Sequence, residues 1–228
     1  MDLEGLNRRI IACRKCPRLV AWRETVAREK RKAYSNREYW GKPVPGFGDG
    51  LARILVVGLA PGAHGSNRTG RQFTGDASGR FLYPALFRAG LATHPESTAR
   101  DDALRLQGLY LTASCRCVPP ANRPTPDELD NCRPYLAREI ELLSPRVIVC
   151  LGHIAFKNIL RVHGLRAAEF VFGHAAQYQV SSGHGPANRW LICSYHPSQQ
   201  NTLTGRLTVA MFDRIWESAR ELAGRGGT

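Results

Sequence analysis

The sequence contains no uninterrupted apolar run of about 18 residues, the length a helix needs to cross a bilayer, so no membrane span is expected. Its opening residues, Met1 to Gly5, show no basic stretch followed by an apolar core, so no secretory signal is read there. Internal repeats and low-complexity tracts are absent as well. Acidic side chains are scarce: 19 Asp and Glu stand against 32 Lys and Arg, a formal net charge of +13. Such an excess points to a polyanionic partner, most commonly nucleic acid. The expected setting is therefore cytoplasmic and nucleoid-associated, where thiols stay reduced. Seven cysteines in that setting need a purpose other than disulfides.

A chain of 228 residues is long enough to bury a full core, and a single domain is the first expectation. Four short apolar runs, at residues 53–57, 109–112, 147–151 and 190–193, read as buried parallel strands. Helical patterns lie between them, an alternation that predicts a doubly wound α/β sheet. The clearest helix begins after Thr125, with Pro126 in its first turn and Glu128 placed for a capping box. It should run to about Leu143. A second helix should follow residues 77–79 with Phe81, Leu82, Leu86 and Phe87 on one face, and a third should span residues 153–162. The last should cover residues 207–222, with Leu207, Met211, Ile215 and Leu222 as its apolar stripe. Residues 22–50, rich in Arg, Lys, Tyr and Pro, read as a long basic surface segment. Residues 224–228 should fray.

After the first strand comes Gly58-Leu-Ala-Pro-Gly-Ala-His-Gly-Ser-Asn-Arg-Thr-Gly70. A glycine-rich turn in that place usually holds a phosphate, yet this one lacks both the Gly-Lys-Ser/Thr of a P-loop and the dinucleotide fingerprint spacing. Cysteines form a second constellation. Cys13 and Cys16 make a C-x-x-C pair, while Cys115 and Cys117 follow the second strand and Cys132 lies in the capped helix. Four thiolates brought together suit zinc or an iron–sulfur cluster, and spacing does not separate the two. Cys115 reads as the spare, and Cys150 and Cys193 as packing thiols inside strands.

Three motifs together resemble the uracil-DNA glycosylase superfamily: Gly58-Leu-Ala-Pro-Gly62, Gly70-Arg-Gln-Phe-Thr-Gly-Asp76 and Ser194-Tyr-His-Pro-Ser198. The cysteine pattern is similar to that of families 4 and 5. The extended Gly-Leu-Ala-Pro-Gly-Ala-His-Gly with the following Thr-Gly-Asp resembles family 5, the type b enzymes. The resemblance runs from Cys13 to about Thr208. It implies a three-layer α/β/α fold with a four-stranded parallel sheet, in one domain over residues 1–228. Within it, residues 1–50 would form a cluster-binding segment and basic loop, and residues 51–223 a catalytic core. It also implies a structural [4Fe-4S] cluster on Cys13, Cys16, Cys117 and Cys132.

The implied activity is hydrolysis of the N-glycosidic bond of a flipped-out uracil in DNA, leaving an abasic site. Phe73 matches the position that stacks on the base, and His196 the position that addresses uracil O2. Gly62, Ala63 and His64 would line the base. Related families carry Asp at the position of Ala60 or Glu at that of Leu59 to orient water, and neither acid is present here. Asp76 is the nearest carboxylate in the matching motifs and takes that role, with Asn122 as the second candidate. Ala113 stands where other families place an amide that reads uracil, so rejection of other bases should relax toward hypoxanthine and xanthine. Arg68, Arg71, Arg123 and Arg206 would meet phosphates, and Ser198, Gln199, Gln200 and Asn201 would enter the duplex and contact the unpaired partner base, giving a preference for G·U mismatches. The expected partner is duplex DNA, with single-stranded DNA left open, bound by a monomer. The competing expectation is a non-enzymatic nucleic-acid binder stapled by zinc or an iron–sulfur cluster.

Overall fold

The computed structural model describes residues 1–181 and 189–224. Six strands form one mixed sheet in the order β1-β3-β2-β4-β6-β5. Its centre is parallel: β3 (Leu109–Ala113), β2 (Ile54–Gly58), β4 (Val147–Leu151) and β6 (Arg189–Ser194) run the same way. These are the four apolar runs, extended by a residue or so at their ends. The expected sheet needs correcting at both edges. β1 (Phe47–Gly48) and β5 (Gln177–Val180) add antiparallel strands, making six. Neither has the apolar run of a doubly covered strand: β1 is two residues long, and β5 alternates between exposed and covered positions.

Strand alternation divides the interior in two. Ile54 and Val56 of β2 face a cluster with Leu82 and Leu86 of α4 (Ala77–Arg88) and Phe212 and Trp216 of α8 (Val209–Gly224). Leu55 and Val57 face the other way, against Leu136 and Ile140 of α5 (Pro126–Leu143) and Phe156 and Ile159 of α6 (His153–Val162). Cys150 and Cys193 are buried within this second cluster as packing thiols. α5 begins with the expected capping box, Thr125 and Glu128 bonding each other's backbone N–H. On α4, Phe81 packs against Phe212, but Phe87 is exposed and leaves the expected face. Leu207 is buried just ahead of α8. Gly224 closes that helix, and residues 225–228, expected to fray, lie outside the described part.

The amino-terminal region departs most from expectation. α1 (Leu3–Ile11) is capped by Asp2, and α2 (Pro17–Glu29) starts at Cys16 with Pro17 in its first turn. The basic stretch that follows α2 is packed as a strap: Tyr39 and Val44 are buried, Val44 N–H bonds the Arg116 carbonyl, and the strap ends in β1. Its charges mislead because Arg and Lys keep their heads in water while their stems cover apolar surface. Among the described residues no helix is long and apolar enough to cross a membrane.

Candidate active site

The loops after β2, β3 and β6 gather at the carboxyl edge of the parallel strands, where open α/β sheets bind ligands. After β2 the chain turns through residues 59–65 into α3 (Ser66–Thr69), and backbone bonds pin the turn. Asn67 N–H donates to Gly62 C=O at 3.0 Å and Arg68 N–H to Gly65 C=O at 2.9 Å. A β-carbon on Gly58 would lie 2.7 Å from Phe73 Cζ, so that glycine leaves room for the ring. Phe73 holds φ +54°, a conformation rare outside glycine, and a β-carbon on Gly79 would collide with its carbonyl. Its neighbours brace this strained backbone. Tyr83 O–H donates to Gln72 C=O at 2.8 Å, and the Gln72 amide donates to Val44 C=O at 3.2 Å.

Asp76 does two things. Its Oδ1 caps α4 by accepting the Gly79 N–H at 3.0 Å. Its Oδ2 meanwhile faces the glycine turn, 3.0 Å from where a Gly62 β-carbon would sit, and a β-carbon on Gly65 would collide with it. Burial raises the Asp76 pKa, opposed by the N–H groups of Gly79 and Ser78 and by the charges of Arg80 and Arg68. The carboxylate is thus aimed across the turn as a stronger base than a free aspartate.

His196 lies beyond β6 with its ring centroid 6.3 Å from that of Phe73. Burial lowers its pKa to about 4, so the imidazole is neutral at neutral pH. The loop that carries it is held from beneath: His196 C=O accepts the Asn201 side-chain amide at 2.8 Å and the Ser198 N–H at 2.8 Å. Ser198 and Asn201 therefore support His196, while Gln199 and Gln200 of α7 (Gln199–Leu203) point to solvent. Leu203, which sequence reading passed over, ends α7 at 81 % exposure. Arg206 is exposed and stacks on Tyr195.

Ala113 is buried at the end of β3, opposite Gly58, with no polar side chain to offer. Beside it the fully buried Ser114 Oγ has no partner among the described residues, a polar group that the sequence did not single out. Asn122 is exposed in a tight turn at φ +55°, and no side-chain hydrogen bond joins it to Asp76 or His196. Arg123 is exposed beside it. Arg68 is half-buried and already engaged, donating to His64 C=O at 2.8 Å and stacking on Tyr34. Arg71 is a correction. It is 3 % exposed, ion-paired with Asp102 at 2.5 Å and stacked on Phe47, so it cannot meet a phosphate. Its partner Asp102 is 31 residues away, and the charge alone did not reveal the pairing.

The cysteines converge on a separate corner. Cys13, Cys16, Cys117 and Cys132 line one small cavity with Leu19, Tyr135 and the buried Arg23 and Arg116. Cys115 does not line that cavity but is buried behind it, donating to the Cys117 carbonyl at 3.4 Å and packed against the Cys132 thiol. Burial pushes the Cys117 thiol up to about 12, so a thiolate there needs a cationic partner or a metal. Arg23 supplies one contact, Nη1 to Cys117 Sγ at 3.0 Å. Among the described residues no three His, Cys, Asp or Glu side chains converge tightly enough for a single ion. Four thiols lining one cavity are a donor set that an iron–sulfur cluster takes. From this corner a chain of bonds leads to the turn after β2. Arg23 C=O accepts the Asn67 side-chain amide at 3.3 Å, and Asn67 N–H holds Gly62.

Comparison with known proteins agrees with this geometry. The profile of the Uracil DNA glycosylase superfamily matches residues 45–220, and the chain belongs to that superfamily. A type-5 uracil-DNA glycosylase of Thermus thermophilus is 55 % identical over 225 residues, 98 % of this chain and 100 % of that protein. Type-5 enzymes of Mycobacterium bovis and Pyrobaculum aerophilum are 50 % and 44 % identical, covering 96 % and 95 % of this chain and 81 % and 91 % of theirs. A type-4 uracil-DNA glycosylase of Archaeoglobus fulgidus is more distant, at 32 % over 86 % of this chain and 82 % of its own. Within the superfamily the chain groups with type 5.

Proposed function

We propose that this chain removes uracil from DNA by hydrolysing its N-glycosidic bond, and that Asp76 and His196 divide the chemistry. Membership in the superfamily and identity to type-5 enzymes make it a uracil-DNA glycosylase, a hydrolase of N-glycosyl bonds, and disfavour a merely structural DNA-binding role. The observations that carry the mechanism are a half-buried His196 kept neutral beside Phe73 and an Asp76 carboxylate facing the glycine turn.

A base held against Phe73 leaves with the electron pair of its C1′–N1 bond, and negative charge gathers on O2. A neutral imidazole N–H donates to that oxygen, and one such preset donor is worth roughly 3 kcal/mol of barrier. Asp76 Oδ2 faces the sugar side, where it stabilises the cationic ring and takes a proton from the attacking water as the new C1′–O bond forms. Asn122 could hold that water only by moving inward from its exposed turn. Bare Ala113 leaves the base edge unread at that point, which fits a range extending to hypoxanthine and xanthine. Leu203 is shaped to enter the space left by the flipped base, with Gln199 and Gln200 beside it on the same helix. The +13 charge suits duplex DNA bound by a monomer, with Arg123 and Arg206 free to meet phosphates.

Cys13, Cys16, Cys117 and Cys132 would hold an iron–sulfur cluster whose contribution is to lock the amino-terminal helices to the core; base release needs no electron transfer. The test is a duplex with a single uracil, followed by alkali to reveal abasic sites. Strand cleavage at that position is the expected result. Folded protein that leaves both U·G and U·A intact overturns the reading.

A further inference from the structure

His64 stands in the turn between Gly62 and Gly65, the two glycines that face the Asp76 carboxylate. One of its ring nitrogens is anchored: Nδ1 lies 3.0 Å from the hydroxyl of Tyr39, a buried residue of the amino-terminal strap. That hydroxyl also accepts the Arg31 backbone N–H at 3.4 Å. A backbone N–H can only donate, so it occupies one lone pair of the phenol oxygen and leaves the phenol proton to be placed. Among the described residues that proton has no acceptor except His64 Nδ1. If Nδ1 carried a proton instead, the buried phenol hydrogen would be stranded, which costs more than the bond is worth. Nδ1 is therefore the acceptor, and the ring proton belongs on Nε2, for which the described residues offer no protein partner.

We propose that Tyr39 locks His64 as a neutral Nε2–H donor, and that this donor selects bases presenting a carbonyl oxygen in place of an amino group. The inference rests on the glycosylase reading and names its specificity device. Deamination is the replacement of an exocyclic amine by a carbonyl: cytosine becomes uracil, adenine hypoxanthine and guanine xanthine. A fixed donor at the O4/O6 corner accepts uracil and hypoxanthine and faces an amine in their parents cytosine and adenine, whereas guanine and xanthine both present O6 there and are not separated by it. It does so without recognising ring size, which an amide at the position of Ala113 would have done. Burial, and then the charges of Arg31 and Arg68, lower the His64 pKa and keep the ring uncharged at neutral pH.

Two measurements test this independently. Long-range nitrogen–proton NMR of the imidazoles at neutral pH should show His64 with a bare Nδ1 and a protonated Nε2. Tyr39→Phe should mix the two tautomers. A wild-type ring protonated on Nδ1 overturns the proposal and leaves the glycosylase reading intact. The second measurement compares kcat/KM for uracil and 4-thiouracil in the same duplex, since sulfur accepts a hydrogen bond more weakly than oxygen. The preference for uracil should shrink by roughly tenfold in His64→Ala, the size of one lost hydrogen bond, and by less in Tyr39→Phe. An unchanged ratio overturns the proposal, and if His64→Ala instead flattens the salt dependence of binding, His64 meets a phosphate. Release of neither base by the wild type would sink the glycosylase reading, and the NMR result would still decide the tautomer.

Discussion

The turn after β2 and the cysteine corner are made of opposite materials. The turn is nearly uncharged backbone, shaped by glycines at 58, 62 and 65 and closed over a single carboxylate. The corner is sulfur and buried guanidinium, with Arg23 on Cys117 and Arg116 paired to Glu139 at 2.5 Å. Chemistry on a flipped base needs open, preset geometry and few competing charges. Stapling two short helices to a core needs strong bonds and can spend charge on them. On the proposed reading one region serves function and the other stability, and they meet at several points: Asn67 bonds Arg23, Cys115 N–H bonds Leu59 C=O at 2.9 Å, and Ala60 packs against the cysteines.

The largest effect should come from the corner. Cys117→Ala removes a thiol that lines the cavity; if the proposed cluster sits there, the protein should lose on the order of several kcal/mol of stability together with the absorbance of bound iron. Iron content and thermal unfolding measure this, and a colourless variant that melts like the wild type would refute the staple. Next, Asp76→Asn should lower kcat by about a thousandfold while still binding uracil-containing duplex, with a melting temperature within a few degrees of the wild type. If Asn122→Ala is the more damaging change, water positioning belongs to the exposed turn. Gly65→Ala should fall between the two regions in kind. Its β-carbon pushes Asp76 off its aim or off its cap, so kcat should drop roughly tenfold or more and stability by about 1 kcal/mol.

Asn67→Ala tests whether the regions are coupled at all. With Arg23 C=O unpartnered and Gly62 less firmly held, KM should rise a few-fold and the melting temperature should fall slightly, while iron content is unchanged. An effect on stability alone would leave the regions independent. A last effect is with pH. Folding lowers the pKa of His64, His163, His174 and His196, so each binds its proton more readily in the unfolded chain. Stability is complete above the ordinary histidine value of 6.5 and declines as pH falls below it. Urea midpoints between pH 7 and pH 4 should show this decline, reduced in His196→Asn. The acid limb of kcat/KM should lie above the usual aspartate range, because Asp76 is raised.

The parallel strands were legible because a strand covered on both faces must be apolar throughout, as in residues 147–151. The capping box at Thr125 was legible because its chemistry is local. Asp76, His196 and Phe73 were singled out through three motifs read together, and the structure brings the His196 and Phe73 rings to 6.3 Å and turns the Asp76 carboxylate toward the glycine turn. What stayed hidden depends on contacts far apart in the chain. The burial of Arg71 needs Asp102, the anchoring of His64 needs Tyr39 on the strap 25 residues earlier, and the support of Phe73 reaches back to Val44. A pattern of charges cannot show which of them will be folded inward.

The left-handed backbone at Phe73 has a kinetic meaning. If Phe73 stacks on the base as proposed, a residue held at φ +54° between Gly58 and Gly79, with the preceding Gln72 carbonyl tied to Tyr83, should present its wall before any DNA arrives. On that reading no closing motion would be needed at that wall. Capture of a damaged base should be paced by how often the duplex itself lets that base go, and weakly paired lesions should be found first.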